Sequence, residues 1–190
     1  APPPARQIRG GMKLLAISGS LRAQSSNTAA LEALRRLAPA GVTVELYGGL
    51  AALPPFNPDQ DADPPAPVLD LRARIGACDG LIICSPEYAA GVSGTMKNAL
   101  DWLVPSLEFP QKPVALINAS PRATIALAHL RGTLTIMSAR LVDEACVAVP
   151  LQGRNLAPDQ ITADPELAAV LRGALDAFVS AIEALAAEEA

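Results

Sequence analysis

The segment 18–28, S-G-S-L-R-A-Q-S-S-N-T, crowds hydroxyls, side-chain amides and one guanidinium between an apolar run and a stretch of helical periodicity. Residues of this kind, placed where a helix begins, suit an anion. The first turn of a helix presents unpaired N–H groups and the positive end of the peptide dipole. Ser18, Ser20, Ser25, Ser26, Asn27 and Thr28 add neutral donors, and Arg22 can grip a phosphate through two parallel hydrogen bonds. The loop reads as a cradle for a terminal phosphate. The competing reading is an ordinary strand-to-helix connection with serine or asparagine capping.

What the loop lacks narrows the ligand. It has no G-x-x-x-x-G-K-[ST], which disfavours a magnesium-bound nucleoside triphosphate. It has no G-x-G-x-x-G, which disfavours a dinucleotide pyrophosphate lying over the turn. It has no cysteine for a thiolate-centred phosphatase. A phosphate held mainly by neutral donors remains, as in a flavin mononucleotide (FMN) site.

A second stretch of chemical interest is 85–103, S-P-E-Y-A-A-G-V-S-G-T-M-K-N-A-L-D-W-L. Pro86 stiffens the chain, so that backbone groups of Pro86, Glu87 and Tyr88 can meet a flat ligand edge-on. Gly91 and Gly94 allow tight turning, and Ser93 is placed to cap the helix that follows. Lys97 and Asp101 are spaced to pair across one turn, for about 0.3–0.5 kcal/mol if exposed. Bland alternatives accompany each residue. Glu87, an odd neighbour for a phosphate, can be a solvated carboxylate, a structural contact or an intersubunit ion pair. Tyr88 can be a packing residue, and Trp102 fits a core or an interface better than a ring stack. A third polar loop, Ser120-Pro121-Arg122, follows another apolar run.

The elements that must hold these loops alternate. Apolar runs at 13–18, 42–47, 79–85, 112–119 and 141–149 read as strands, with Asp143 and Glu144 awkward in the last. Helical patterns follow: one that carries Leu31, Leu34 and Leu37 and stops at Pro39, then 68–77, about 95–103 and about 124–137. A final helix starts with Asp164 as cap and Pro165 at its first position, and its stripe is Leu167, Val170, Leu171, Leu175, Phe178, Ile182 and Leu185. Six prolines within 48–67 exclude a helix or central strand there, while Leu53 and Phe56 are expected to pack down, near a ligand or a partner subunit. Strand–helix alternation implies a parallel sheet with helices on both faces. Five strands favour the flavodoxin-like order 2-1-3-4-5, whose ligand crevice lies between the first and third strands. The loops after Ser18 and Ser85 would flank that crevice, with the loop after Ala119 beside them.

Composition excludes several classes. The chain has 190 residues, enough for one domain over residues 12–190, with the Pro/Gly-rich residues 1–11 as a tail. A net charge of −4 and 3% aromatic residues argue against a nucleic-acid partner. No apolar run is long enough to span a membrane. Cys78, Cys84 and Cys146 are scattered and sit in apolar runs, as buried thiols of a reducing cytoplasm do. One histidine, His129, and no Cys/His cluster leave no metal site, and His129 reads as a structural or surface residue.

The two loop motifs, GSLRAQSSNT and SPEYAAGVSGTMKNALDWL, resemble those of the NADPH-dependent FMN reductase family, flavodoxin-like flavoproteins that include quinone, chromate and azo-dye reductases. The likeness extends over about Met12–Val149. It implies FMN as cofactor and NADPH as co-substrate. It places Ser18, Ser20, Arg22, Ser25, Ser26, Asn27 and Thr28 on the phosphate loop. Pro86, Glu87, Tyr88 and Gly91 fall on the flavin-wrapping loop, and Ser120 on the loop bordering the isoalloxazine. It implies a homodimer or homotetramer through the Lys97–Trp102 helix. Ala89-Ala90 departs from relatives that carry Asn or His after the tyrosine, which leaves the acceptor preference open. No protein nucleophile is implied: hydride would pass from NADPH to the flavin and then to a quinone, azo compound, metal oxyanion or free flavin, in ping-pong fashion. A flavodoxin-type electron carrier and a non-catalytic flavin-binding protein are the alternatives.

Overall fold

The computed structural model describes residues 11–188; apart from Gly11, the expected tail lies outside them. Strands β1 (Met12–Ser18), β2 (Val42–Leu46), β3 (Gly80–Cys84) and β6 (Pro113–Asn118) form a parallel sheet, ordered β2-β1-β3-β6. Two short strands, β7 (Arg140–Leu141) and β8 (Val147–Ala148), pair in succession with β6 at the far edge. The order is therefore the expected 2-1-3-4-5, with the fifth strand broken in two. The break is the turn Asp143–Ala145, which lifts Asp143 and Glu144 into solvent, where Arg131 pairs with Asp143. Charged side chains are expensive to bury, and the edge strand yields instead.

Side chains alternate across the sheet. Leu14, Ala16, Ile82, Cys84, Ala115 and Ile117 face one layer; Leu15, Ile17, Leu81, Ile83, Val114 and Leu116 face the other. The first layer is helix α1 (Ser26–Arg36) and helix α6 (Pro165–Glu188), with the short α5 (Pro158–Ala163) beside them. The second is α2 (Ala66–Ala77), α3 (Gly94–Leu103) and α4 (Thr124–Ile136). Both faces are covered, which is why the strand runs are almost continuously apolar. Each fully buried Leu, Ile or Phe contributes about 1.5–3 kcal/mol. Gly80 lets α6 approach closely: a Cβ there would sit 2.8 Å from Phe178 Cζ. Of the expected α6 stripe, Val170 turns outward, and Ala168 and Ala174 complete the buried face. Asp164 caps α6 as expected, its Oδ1 accepting from the amides of Glu166 and Leu167.

The proline-rich segment contains two single 3-10 turns, Leu50–Ala52 and Pro58–Gln60. Its last two residues, Ala66 and Pro67, already open α2, where a proline in the first turn is tolerated because its missing N–H has no intrahelical acceptor. Leu53 is buried and Phe56 packs edge-on against Trp102, ring centres 5.0 Å apart. The segment is pinned to α3: Trp102 Nε1 and Asn98 Nδ2 donate to the Pro54 carbonyl, and Asn98 Oδ1 accepts from the Phe56 amide. Asn98 and Trp102 thus face inward. Of the residues assigned to a subunit contact, only Lys97 and Asp101 lie outward, paired at 2.7 Å.

Candidate functional site

The chain runs from β1 outward to β2 and then returns to β3 on the other side of β1, so the strand order reverses between β1 and β3. At the carboxyl ends of these strands and of β6, three loops enclose a cleft of about 420 Å³. Open α/β sheets bind ligands at such a reversal.

Gly19 ties the first of these loops to the second. Its amide donates to the Cys84 carbonyl at 2.8 Å, and its carbonyl accepts from Ser93 Oγ (2.7 Å) and Thr95 Oγ1 (3.2 Å). A Cβ on Gly19 would lie 2.4 Å from Ser85 Oγ and 2.9 Å from Ser93 Oγ. Only a residue without a side chain lets the first loop close on the second.

One end of the cleft is the start of α1. Ser25 caps the helix, its Oγ accepting from the Thr28 amide at 3.3 Å; its hydroxyl hydrogen remains to be donated. The amides of Ser26 and Asn27 lie in the first turn, ahead of any intrahelical acceptor. Asn27 Oδ1 accepts from Cys84 Sγ at 3.2 Å, leaving its NH₂ group for the cleft. Complete burial pushes the Cys84 thiol up to about 12, so it stays a neutral donor. Ser20 and Arg22 complete this end, and the Arg22 guanidinium has no partner. Ser18 and Thr28 do not line the cleft. Their hydroxyls bond each other at 2.8 Å, and Ser18 Oγ also accepts from the Ser20 amide, so they brace the loop from beneath. Unpaired amides, hydroxyls and an unpartnered guanidinium fit the phosphate monoester of an FMN.

The second wall is a hairpin absent from the sequence reading: β4 (Glu87–Tyr88) pairs with β5 (Gly91–Val92). Its turn places Ala89 at φ 49° and Ala90 at φ 57°. Two consecutive positive φ values form the tight turn that Asn-Gly usually serves. An alanine there costs about 1–2 kcal/mol, so this rim is strained. Pro86 and Tyr88 line the cleft, and Tyr88 is half exposed; Gly91 sits opposite Tyr88 in the hairpin and does not line it.

Glu87 lines the cleft yet spends one oxygen elsewhere. Its Oε2 accepts from the Ala126 amide at 2.8 Å, in the first turn of α4. That helix has alanine at its own cap position, no side-chain cap and no acidic residue in its first turn. The carboxylate is thus a cap supplied from another loop, and it neutralises the positive end of α4.

The third wall follows β6. The Ser120 amide donates to Asn118 Oδ1 at 3.0 Å, and Ser120 Oγ donates to Gln152 Oε1 at 2.8 Å. Sequence reasoning missed Ser85, Arg122, Gln152, Gly153 and Asn155, all of which line the cleft. Gly153 and Asn155 have positive φ; a turn-forming Q-G-R-N after the last strand, at the same end of the sheet, was the available signal. Among the described residues, no group of three His, Cys, Asp or Glu is placed to hold a metal, and no helix is long and apolar enough to cross a membrane.

Residues 12–153 match the sequence profile of the NADPH-dependent FMN reductase family. The chain is 38% identical over 159 residues to an NAD(P)H-dependent FMN reductase of Pseudomonas aeruginosa, covering 76% of this chain and 85% of that protein. It is 34% identical over 141 residues to a quinone reductase of Escherichia coli K12, covering 70% and 74%. Among solved structures, a flavoenzyme NAD(P)H:(acceptor) oxidoreductase from Paracoccus denitrificans superposes with a TM-score of 0.77 at 31% identity, over 90% of this chain and 97% of that one.

Proposed function

The chain belongs to the NADPH-dependent FMN reductase family, and we propose that it is an FMN-dependent NAD(P)H oxidoreductase that reduces a small acceptor of the quinone type. The observation that carries this reading is the convergence of three strand-end loops on one cleft with an unsatisfied helix N-terminus and an unpartnered arginine at one end. The residues named by sequence divide between ligand contact and support of the loops. Ser20, Arg22, Ser25, Ser26 and Asn27 hold the phosphate; Pro86, Tyr88 and Ser120 border the ring. Ser18 and Thr28 brace the phosphate loop, Gly91 shapes the hairpin, and Glu87 ties the hairpin to α4.

FMN held by these residues would supply the redox chemistry, hydride acceptance from NAD(P)H and two-electron reduction of the acceptor. The protein positions and desolvates. Gly19 lets the first loop close on the second, the hairpin and third loop border the slot, and loop amides offer donors to developing negative charge. No protein acid or nucleophile is needed. One open slot serves donor and acceptor in turn, so the mechanism is ping-pong; the acceptors within reach are quinones, azo compounds, metal oxyanions and free flavin. Assembly into a homodimer or homotetramer through the outer face of α3 belongs to the same reading. That face carries Lys97 and Asp101, with exposed Val104 and Leu107 just beyond.

The decisive experiment is the visible spectrum of the purified protein before and after anaerobic NADPH. Flavin bands that bleach support the reductase. Bands that persist turn the reading into an electron carrier, and failure to take up FMN refutes it. Initial rates at several acceptor concentrations then test the order: parallel double-reciprocal lines are expected, and intersecting lines overturn the ping-pong scheme. Light scattering reports the assembly, and a monomer removes that part.

A further inference from the structure

The cleft carries a second cation, on a different wall from the α1 end. Among the described residues, the side chains of Lys13, Arg22, Arg122 and Arg172 are the lysines and arginines with neither ion pair nor hydrogen bond. Two of these four, Arg22 and Arg122, line the same cleft. They stand on different walls: Arg22 in the loop leading into α1, Arg122 two residues beyond Ser120, ahead of α4. The cleft's own carboxylate, Glu87, is bonded to the Ala126 amide and opposes the α4 dipole. The end of α4 is therefore no anion site by itself, and Arg122 is the group through which that wall attracts negative charge. In a chain of net charge −4, this local positive field departs from the overall balance.

We propose that Arg122 recognises an anionic group on the second substrate, the molecule that enters the slot over bound FMN. This rests on the FMN reductase reading above. The chemistry recognised is a phosphate of NAD(P)H or an acidic substituent of the acceptor; a planar guanidinium suits phosphate, sulfonate and carboxylate alike. Arg22 serves the cofactor phosphate at the α1 end, and Arg122 selects among the molecules that reach it afterwards.

The test is Arg122→Gln in the FMN-loaded protein. Calorimetric titration with NADP⁺ measures binding without turnover, and KM values are taken for NADPH, a neutral quinone and its sulfonated analogue. FMN affinity of the apoprotein and the neutral-quinone KM are expected to stay within about twofold of the parent. NADP⁺ affinity, or the sulfonated-quinone KM, is expected to worsen about tenfold, the scale of one charge-assisted hydrogen bond. A loss confined to NADP⁺ assigns the anion to the donor, a loss confined to the sulfonated quinone assigns it to the acceptor, and Arg122→Lys restores part of either. No loss with both probes, or an equal loss with the neutral quinone, overturns the proposal while leaving the reductase intact. A parent protein that takes up no FMN overturns both.

Discussion

Replacing Glu87 by alanine removes three things at once. It deletes the acceptor of the Ala126 N–H, a bond of 2.8 Å. It strips a helix that has no cap of its own of the one supplied from outside. It also removes a negative charge from the positive end of that helix. Loss of a cap costs about 1 kcal/mol, and the charge at a helix N-terminus is worth about 0.3–1 kcal/mol. Ala126 is only 5% exposed, so its amide cannot readily turn to water, and an orphaned buried donor costs about 1–3 kcal/mol. These costs overlap, because they describe one contact, and a total of about 2 kcal/mol is expected. For a chain of this size that corresponds to a fall in Tm of about 4–8 °C. Glu87→Gln keeps an oxygen acceptor and loses only the charge, so it should fall by about 0.5 kcal/mol. The assay is thermal unfolding of the FMN-free protein, with amide hydrogen exchange at Ala126 as the local readout. An alanine variant that melts with the parent and keeps Ala126 protected refutes the cap. Should that variant lose FMN affinity without losing stability, Glu87 acts on the cofactor directly.

Three further outcomes follow from the same contacts. Gly19→Ala forces a Cβ to within 2.4 Å of Ser85 Oγ; a destabilisation of about 1–3 kcal/mol and weakened FMN uptake are expected, and unchanged urea midpoint and FMN affinity would show that the two loops do not need to touch. Ala90→Gly relieves a left-handed alanine at φ 57°; after allowance for the freer unfolded chain the gain is about 0.5–1 kcal/mol, and a lower Tm contradicts the strain. Glu32 has its carboxyl held below the ordinary 4.5, chiefly by its hydrogen bond with Arg35. A depressed folded value stabilises the protein above that ordinary value and loses its contribution as pH falls through the folded one. Glu32→Gln should therefore flatten the acid limb of the stability curve, and an equally steep limb counts against the pairing.

Much of this protein is legible in the chain because the signals are local. Continuous apolar runs marked the strands, since a sheet covered on both faces leaves no polar side to alternate. Ser25, Ser93 and Asp164 marked helix starts, because a cap needs only a side-chain oxygen two or three residues ahead of the amides it serves. Asp143 and Glu144 flagged the edge strand that breaks. The residues of the two loop motifs sufficed for a resemblance to the family, and alternation of strand and helix sufficed for the order of the sheet.

What the chain could not declare is which distant group each polar side chain meets. Nothing near α4 shows that its cap comes from Glu87, 39 residues earlier, or that Asn98 and Trp102 turn inward to hold Pro54 rather than outward to a partner. Ser18 and Thr28 looked like ligands by type, and the fold turned their hydroxyls on each other. Arg122 and Gln152 joined the cleft only when β6 and the segment after β8 came to the same end of the sheet. Capping and periodicity act within a few residues and are written in order along the chain. Burial, charge compensation and the composition of a cleft depend on which loops the tertiary fold brings together.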